Sequence, residues 1–259
     1  MHRKYSQMQL SHYSQNNKFI IFIGDSYTWG QGLYLPKWFE ERPEIFHHFY
    51  ETTKGWDTHL SWVQQEPFFT IEDNKFKNSL SFTNLVANKL DRTCYKSKDN
   101  GGRNTNNLFY LSKFNSYNFP HNDVIIIFQF TSVGREDLQL TDEEASKLIN
   151  NNFTLNDVFR DKFQSLFNKI DNKLKDLEIE LGWKYYYMDW LGDFYDFQPD
   201  KFIKFGGGRV KCIEPLTKNF HIKIQYRDRT FYDYHLNSEG NILVADSIIK
   251  HIEKDLEKS

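Results

Sequence analysis

The stretch Phe19-Ile20-Ile21-Phe22-Ile23-Gly24-Asp25-Ser26-Tyr27-Thr28-Trp29-Gly30 decides how this chain is read. Its first five residues are apolar without alternation, the pattern of a strand covered on both faces by helices. The run stops at Gly24, and Asp25 and Ser26 fall where a parallel strand hands its chain to a loop. Ligands of open α/β sheets bind outside those carboxyl ends. A serine placed there can serve as a nucleophile. Equally, Asp25 or Ser26 can simply cap the helix that follows.

Outward from that stretch, 259 residues suit a single α/β domain spanning 1–259. Apolar residues at 39% and charged residues at 26% give a globular balance. A net charge of −2 argues against a nucleic-acid partner. Two scattered cysteines, Cys94 and Cys212, suggest reduced thiols rather than a disulfide framework or a zinc site. The polar residues 1–18 contain no signal-peptide core, and no run reaches membrane-spanning length. The expectation is a cytoplasmic or otherwise soluble protein with no membrane partner. An export route without a cleaved signal and a viral origin both stay open.

Further along, the stretch 33–77 is dense in aromatic residues and shows no clean period, so it reads as an irregular insertion, either a lid or a satellite core. A helix is expected over Ser79–Asp91, capped by Ser79 or Ser81. A short strand at Thr93–Lys96, a glycine turn at 100–104 and a helix from Thr105 to Phe114 follow. The most apolar strand is expected from Asp123 to Phe130, with a helix start at 141–144 after it. A long amphipathic helix should run from Leu155 to Leu181, and another strand from Lys184 to Asp189. The stretch 190–232 again reads as irregular, and a last helix starts near Asn237 and Ser238. Strands alternating with helices predict a mostly parallel central sheet wrapped by helices.

A serine nucleophile needs a base, and the base needs an orienting group. Of nine histidines, His235 stands out because it lies just ahead of the last helix, in Tyr232-Asp233-Tyr234-His235-Leu236-Asn237-Ser238-Glu239-Gly240. That position belongs to the same sheet edge as Ser26, and Asp233 is two residues away. His47, His48 and His59 lack acidic or cysteine partners at a metal-ligand spacing and read as surface residues. Gly206-Gly207-Gly208 lacks the ending of a phosphate-binding loop. Trp29 reads as core, and the basic residues between Lys201 and Arg229 as a solvated face.

Taken together, Gly24-Asp25-Ser26, Asn100-Gly101-Gly102-Arg103-Asn104 and the Asp233–His235 region resemble three sequence blocks of the SGNH/GDSL hydrolase superfamily. The resemblance implies a three-layer α/β/α sandwich with a flavodoxin-like sheet of about five strands. It implies a serine esterase acting on short-acyl esters, including O-acetyl groups on carbohydrate, with Ser26, His235 and Asp233 as the triad. It also implies that no metal or organic cofactor is needed, and that the partner is a small-molecule or glycan ester. The oxyanion donors would be the amides of Ser26 and Gly102, or Gly101 in place of the latter. The family's third block has a Gly-x-Asn-Asp turn whose Asn donates to the oxyanion; here the chain reads Gln129-Phe130-Thr131-Ser132, so either Thr131, Ser132 or Gln129 donates in its stead or that donor is missing. The family usually spaces Asp and His by three residues, whereas an alginate-acetylating branch spaces them by two, as here. An O-acetyltransferase with the same triad is therefore the alternative. A non-catalytic glycan-binding protein with a degraded oxyanion hole is another.

Overall fold

Phe19–Ile23 lies within a strand, Lys18–Ile23, at the middle of a five-stranded sheet. The computed structural model describes residues 9–12, 17–97, 103–112, 123–131, 143, 146, 155–192, 194–205 and 211–258. In chain order the strands are β1 (Gln9–His12), β2 (Lys18–Ile23), β3 (Asp57–His59), β4 (Thr93–Lys96), β5 (Asp123–Phe130), β6 (Lys184–Asp189), β7 (His221–Tyr226) and β8 (Arg229–Leu236). The main sheet has the order β1-β4-β2-β5-β6. Its four strands β4, β2, β5 and β6 are parallel, and β1 adds an antiparallel edge on β4. Phe19 pairs with Thr93 on one side and Val124 on the other, so β2 has no free edge along that register.

The missing alternation in β2 has a direct cause. Ile20 and Phe22 join Ile125, Ile127 and Met188 in a core with the helices Phe82–Lys89 and Ser238–Leu256. Phe19, Ile21 and Ile23 join Val124, Ile126 and Phe128 in a second core with the long helix Leu155–Leu181. Burial of each such side chain favours folding by about 1.5–3 kcal/mol, so both faces select apolar residues. The mixed α/β fold with its parallel sheet is therefore as expected. The strands Thr93–Lys96, Asp123–Phe130 and Lys184–Asp189 and the helix Leu155–Leu181 have the expected bounds.

Three expectations are corrected. The stretch 33–77 is not irregular. It forms helices at Leu35–Glu41, Pro43–Thr52, Trp62–Gln65 and Ile71–Leu80 and the strand β3. Its aromatic residues Tyr34, Trp38, Phe46 and Phe49 build a third core with Ile222, Ile224 and Phe231. The stretch 190–232 is not irregular either. It contains the helix Glu214–Phe220 and the hairpin β7–β8, joined through Arg227 and Asp228. With β3 parallel to β8 and β7 antiparallel to it, these strands form a second, mixed sheet. Finally, the helix expected over Ser79–Asp91 spans Phe82–Lys89: Ser79 belongs to the preceding helix Ile71–Leu80, while Ser81, the other expected cap, does stand at the cap position. Among the described residues no helix is long and apolar enough to cross a membrane. The helix start at 141–144 and Gly206–Gly208 are not fully within the described residues.

Candidate active site

Ser26 opens a one-turn helix, Ser26–Trp29, directly after β2. Gly24 makes the turn possible by close approach: a Cβ there would sit 2.2 Å from Thr28 Oγ1 and 2.9 Å from Gln129 Cβ. Asp25 is the cap residue, and its Oδ1 accepts from the Tyr27 N–H at 3.0 Å. The same carboxylate accepts from Gln129 Nε2 at 2.6 Å and from the Thr131 hydroxyl at 2.9 Å. Thr28 donates to Gln129 Oε1 at 2.6 Å, which orients that amide. Asn104 completes the frame, since its side chain exchanges two hydrogen bonds with the Thr131 backbone, at 2.9 and 3.1 Å. The turn that carries Ser26 is thus tied to the carboxyl end of β5 through fully buried polar groups. Ser26 keeps its own N–H at the head of the helical turn, where no intrahelical acceptor exists.

The other half of the site comes from β8. Asp233 and His235, expected in a loop, instead sit at the end of this strand, two apart and so on one face. His235 Nε2 lies 2.6 Å from Ser26 Oγ, across 209 residues of sequence. His235 Nδ1 meets Asp233 Oδ1, which also accepts from the His235 N–H at 3.0 Å. An ionised carboxylate only accepts, so the ring proton belongs on Nδ1. That leaves the Nε2 lone pair facing the serine hydroxyl, as a general base requires. The Tyr27 ring packs against the imidazole with centroids 4.7 Å apart and blocks its rotation.

Burial alone would push the Asp233 carboxyl up. The charge and hydrogen bonds of His235, together with the Gln65 amide, outweigh burial and hold the carboxyl at about 2. A folded-state value below the ordinary 3.8 means that the ionised group favours folding above about pH 4. That contribution, about 2 kcal/mol, is lost as pH falls through 2. Urea melts between pH 5 and pH 2 should therefore show the native chain losing about 2 kcal/mol more than Asp233→Asn over that window. Parallel losses in the two proteins would contradict the assignment.

The structure brings Ser26, His235 and Asp233 together. It does not bring the side chains of Thr131 and Gln129 to the serine as free donors, because both are engaged by Asp25. Gly101, Gly102 and Ser132 lie outside the described residues. Trp29 is in the third core, and among the described residues no group of His, Cys, Asp and Glu could hold a metal ion. Sequence reasoning missed Gln31, Tyr34 and Gln65, which surround Asp233. Gln65 Nε2 donates to Asp233 Oδ2 at 2.8 Å and Gln31 Nε2 at 3.2 Å. No motif announces a buried glutamine, and these belong to segments with no period of their own. No protein-family model, curated protein or solved structure matches this chain, so its chemistry is read from the geometry of its own residues.

Proposed function

We propose that this chain is a serine esterase of SGNH/GDSL type, a three-layer α/β/α sandwich with flavodoxin-like strand order, acting on short-acyl esters such as O-acetyl groups on carbohydrate. The observation that carries the reading is the unbroken line Ser26 Oγ, His235 Nε2, His235 Nδ1, Asp233 Oδ1. Ser26 attacks the ester carbonyl carbon while Nε2 takes its proton. The imidazolium, held by Asp233, then protonates the departing alkoxide, which leaves as the alcohol. Water, deprotonated by His235, releases the acyl group as a carboxylic acid and restores Ser26. The Ser26 and Gly102 amides are the proposed donors to the oxyanion.

A second reading is favoured by one observation: Thr131 and Gln129 are both committed to Asp25, so neither side chain supplies the oxyanion donor. A glycan-binding protein that keeps the fold without turnover fits that arrangement. A fluorophosphonate probe separates the two. The esterase reading expects stoichiometric labelling on Ser26, none in Ser26→Ala, and release of p-nitrophenol from its acetate by the native chain alone. No label on a folded native chain would sink it. Diversion of the acetyl group from water to an added sugar would identify an O-acetyltransferase using the same residues.

A further inference from the structure

Asp233 has two carboxylate oxygens, and the triad uses one. The other, Oδ2, is held by two glutamine side chains, neither of them in the triad. Gln65 is fully buried, and its amide orientation is fixed on every side. Nε2 faces the Leu60 carbonyl at 2.5 Å and Asp233 Oδ2 at 2.8 Å, both of which only accept. Oε1 receives the Tyr34 hydroxyl at 2.5 Å. Burial, and then the negative charge of Asp233, push the Tyr34 phenol up, so it stays a donor. Leu60 is itself pinned, its N–H donating to the Tyr232 carbonyl at 2.8 Å where β3 pairs with β8.

Gln31 reaches the same oxygen from the turn that follows Ser26. Its backbone N–H donates to the Ser26 carbonyl at 3.1 Å while its side chain donates to Asp233 at 3.2 Å. One residue thus links the nucleophile's backbone to the acid at the far end of the triad. Gly32, at φ 81°, lets the chain pass close by; a Cβ there would sit 3.0 Å from the Asp233 carboxylate.

We infer that Gln65 and Gln31, with Tyr34 behind Gln65, are positioning residues that clamp Asp233 Oδ2 and so aim Oδ1 at the His235 ring. The inference rests on the serine-hydrolase reading above. The 33–77 segment, which carries Gln65 and Tyr34, then contributes to catalysis through the acid. The clamp also draws charge from the carboxylate, so it sets how firmly Asp233 holds the imidazolium proton. Among the described residues, the titratable groups that interact electrostatically with the acid include His235, Tyr34 and His59.

The test measures kcat, KM and the pH profile of kcat/KM on p-nitrophenyl acetate for the native chain, Gln65→Leu, Gln31→Leu and Tyr34→Phe. The clamp expects kcat to fall about 10- to 100-fold in Gln65→Leu with KM within about twofold. It expects about a tenfold fall in Gln31→Leu, whose side chain is less deeply tied in. In both, the acid limb of kcat/KM moves to higher pH, because an unshared carboxylate binds the imidazolium more tightly. Tyr34→Phe shifts the limb the same way by less. An unmoved limb with kcat falling only in proportion to the folded fraction would overturn the inference. Should Gln65→Leu not fold, Gln31→Leu decides alone. A native chain that neither hydrolyses the ester nor reacts with fluorophosphonate would instead remove the underlying reading.

Discussion

Asp233→Asn is expected to lower kcat for ester hydrolysis about 10⁴-fold while leaving the chain folded. The amide must choose which side its NH₂ faces. Toward Oδ2 it meets Gln65 Nε2, a donor locked in place by Leu60 and Tyr34, and Gln31 Nε2. Toward Oδ1 it meets the His235 ring nitrogen, which can accept if the tautomer changes, and the His235 N–H. The second choice keeps the shorter hydrogen bond, from the locked Gln65 at 2.8 Å, and gives up only the 3.0 Å one from the His235 N–H. The imidazole then carries its proton on Nε2, pointing at Ser26 Oγ, and no longer serves as a base. The kinetic check is kcat against the Ser26→Ala baseline. The structural check is the ¹⁵N shift of the two ring nitrogens, which reports the tautomer. A loss under tenfold would mean that Asp233 does not set the proton's position.

Asp25→Ala should lower the stability of the chain by about 3–5 kcal/mol. It strands three buried donors at once: the Tyr27 N–H, Gln129 Nε2 and the Thr131 hydroxyl. Each orphaned group costs about 1–3 kcal/mol, partly relieved where water enters. The first of these is the cap of the helical turn that carries Ser26, and a lost cap alone is worth about 1 kcal/mol. In a chain of this size the melting temperature should drop on the order of 10 °C. Asp25→Asn is the control, because its oxygen can still serve Tyr27 and Gln129 while Thr131 turns its hydroxyl to accept; the expected cost is about 1 kcal/mol. Equal destabilisation by Ala and Asn would show that charge, not the hydrogen-bond pattern, holds the turn.

Much of the main sheet was legible because burial on two faces writes itself as unbroken apolar runs, as in β2 and β5. The second sheet was missed although β7 carries a signal. His221–Tyr226 alternates polar and apolar, and its burial alternates with it. Its turn hid the hairpin, since Arg227 adopts φ 55° where glycine or asparagine would advertise such a conformation. The helices of 33–77 were hidden differently. Pro36 and Pro43 each stand in the first turn of a helix and restart the period, so no single phase runs through the stretch. Ser26 and His235 could be read because turn position and neighbouring acid are local features. The glutamines around Asp233 could not: Gln65 comes near through the pairing of β3 with β8, and Gln31 through the turn that follows Ser26.

The contact between Ser26 and His235 spans 209 residues, and this has a consequence for how the chain comes to life. During synthesis Ser26 leaves the ribosome 209 residues ahead of His235, and until then it has no imidazole beside it. On the esterase reading, competence therefore switches on only when the strand Arg229–Leu236 has been made and has docked.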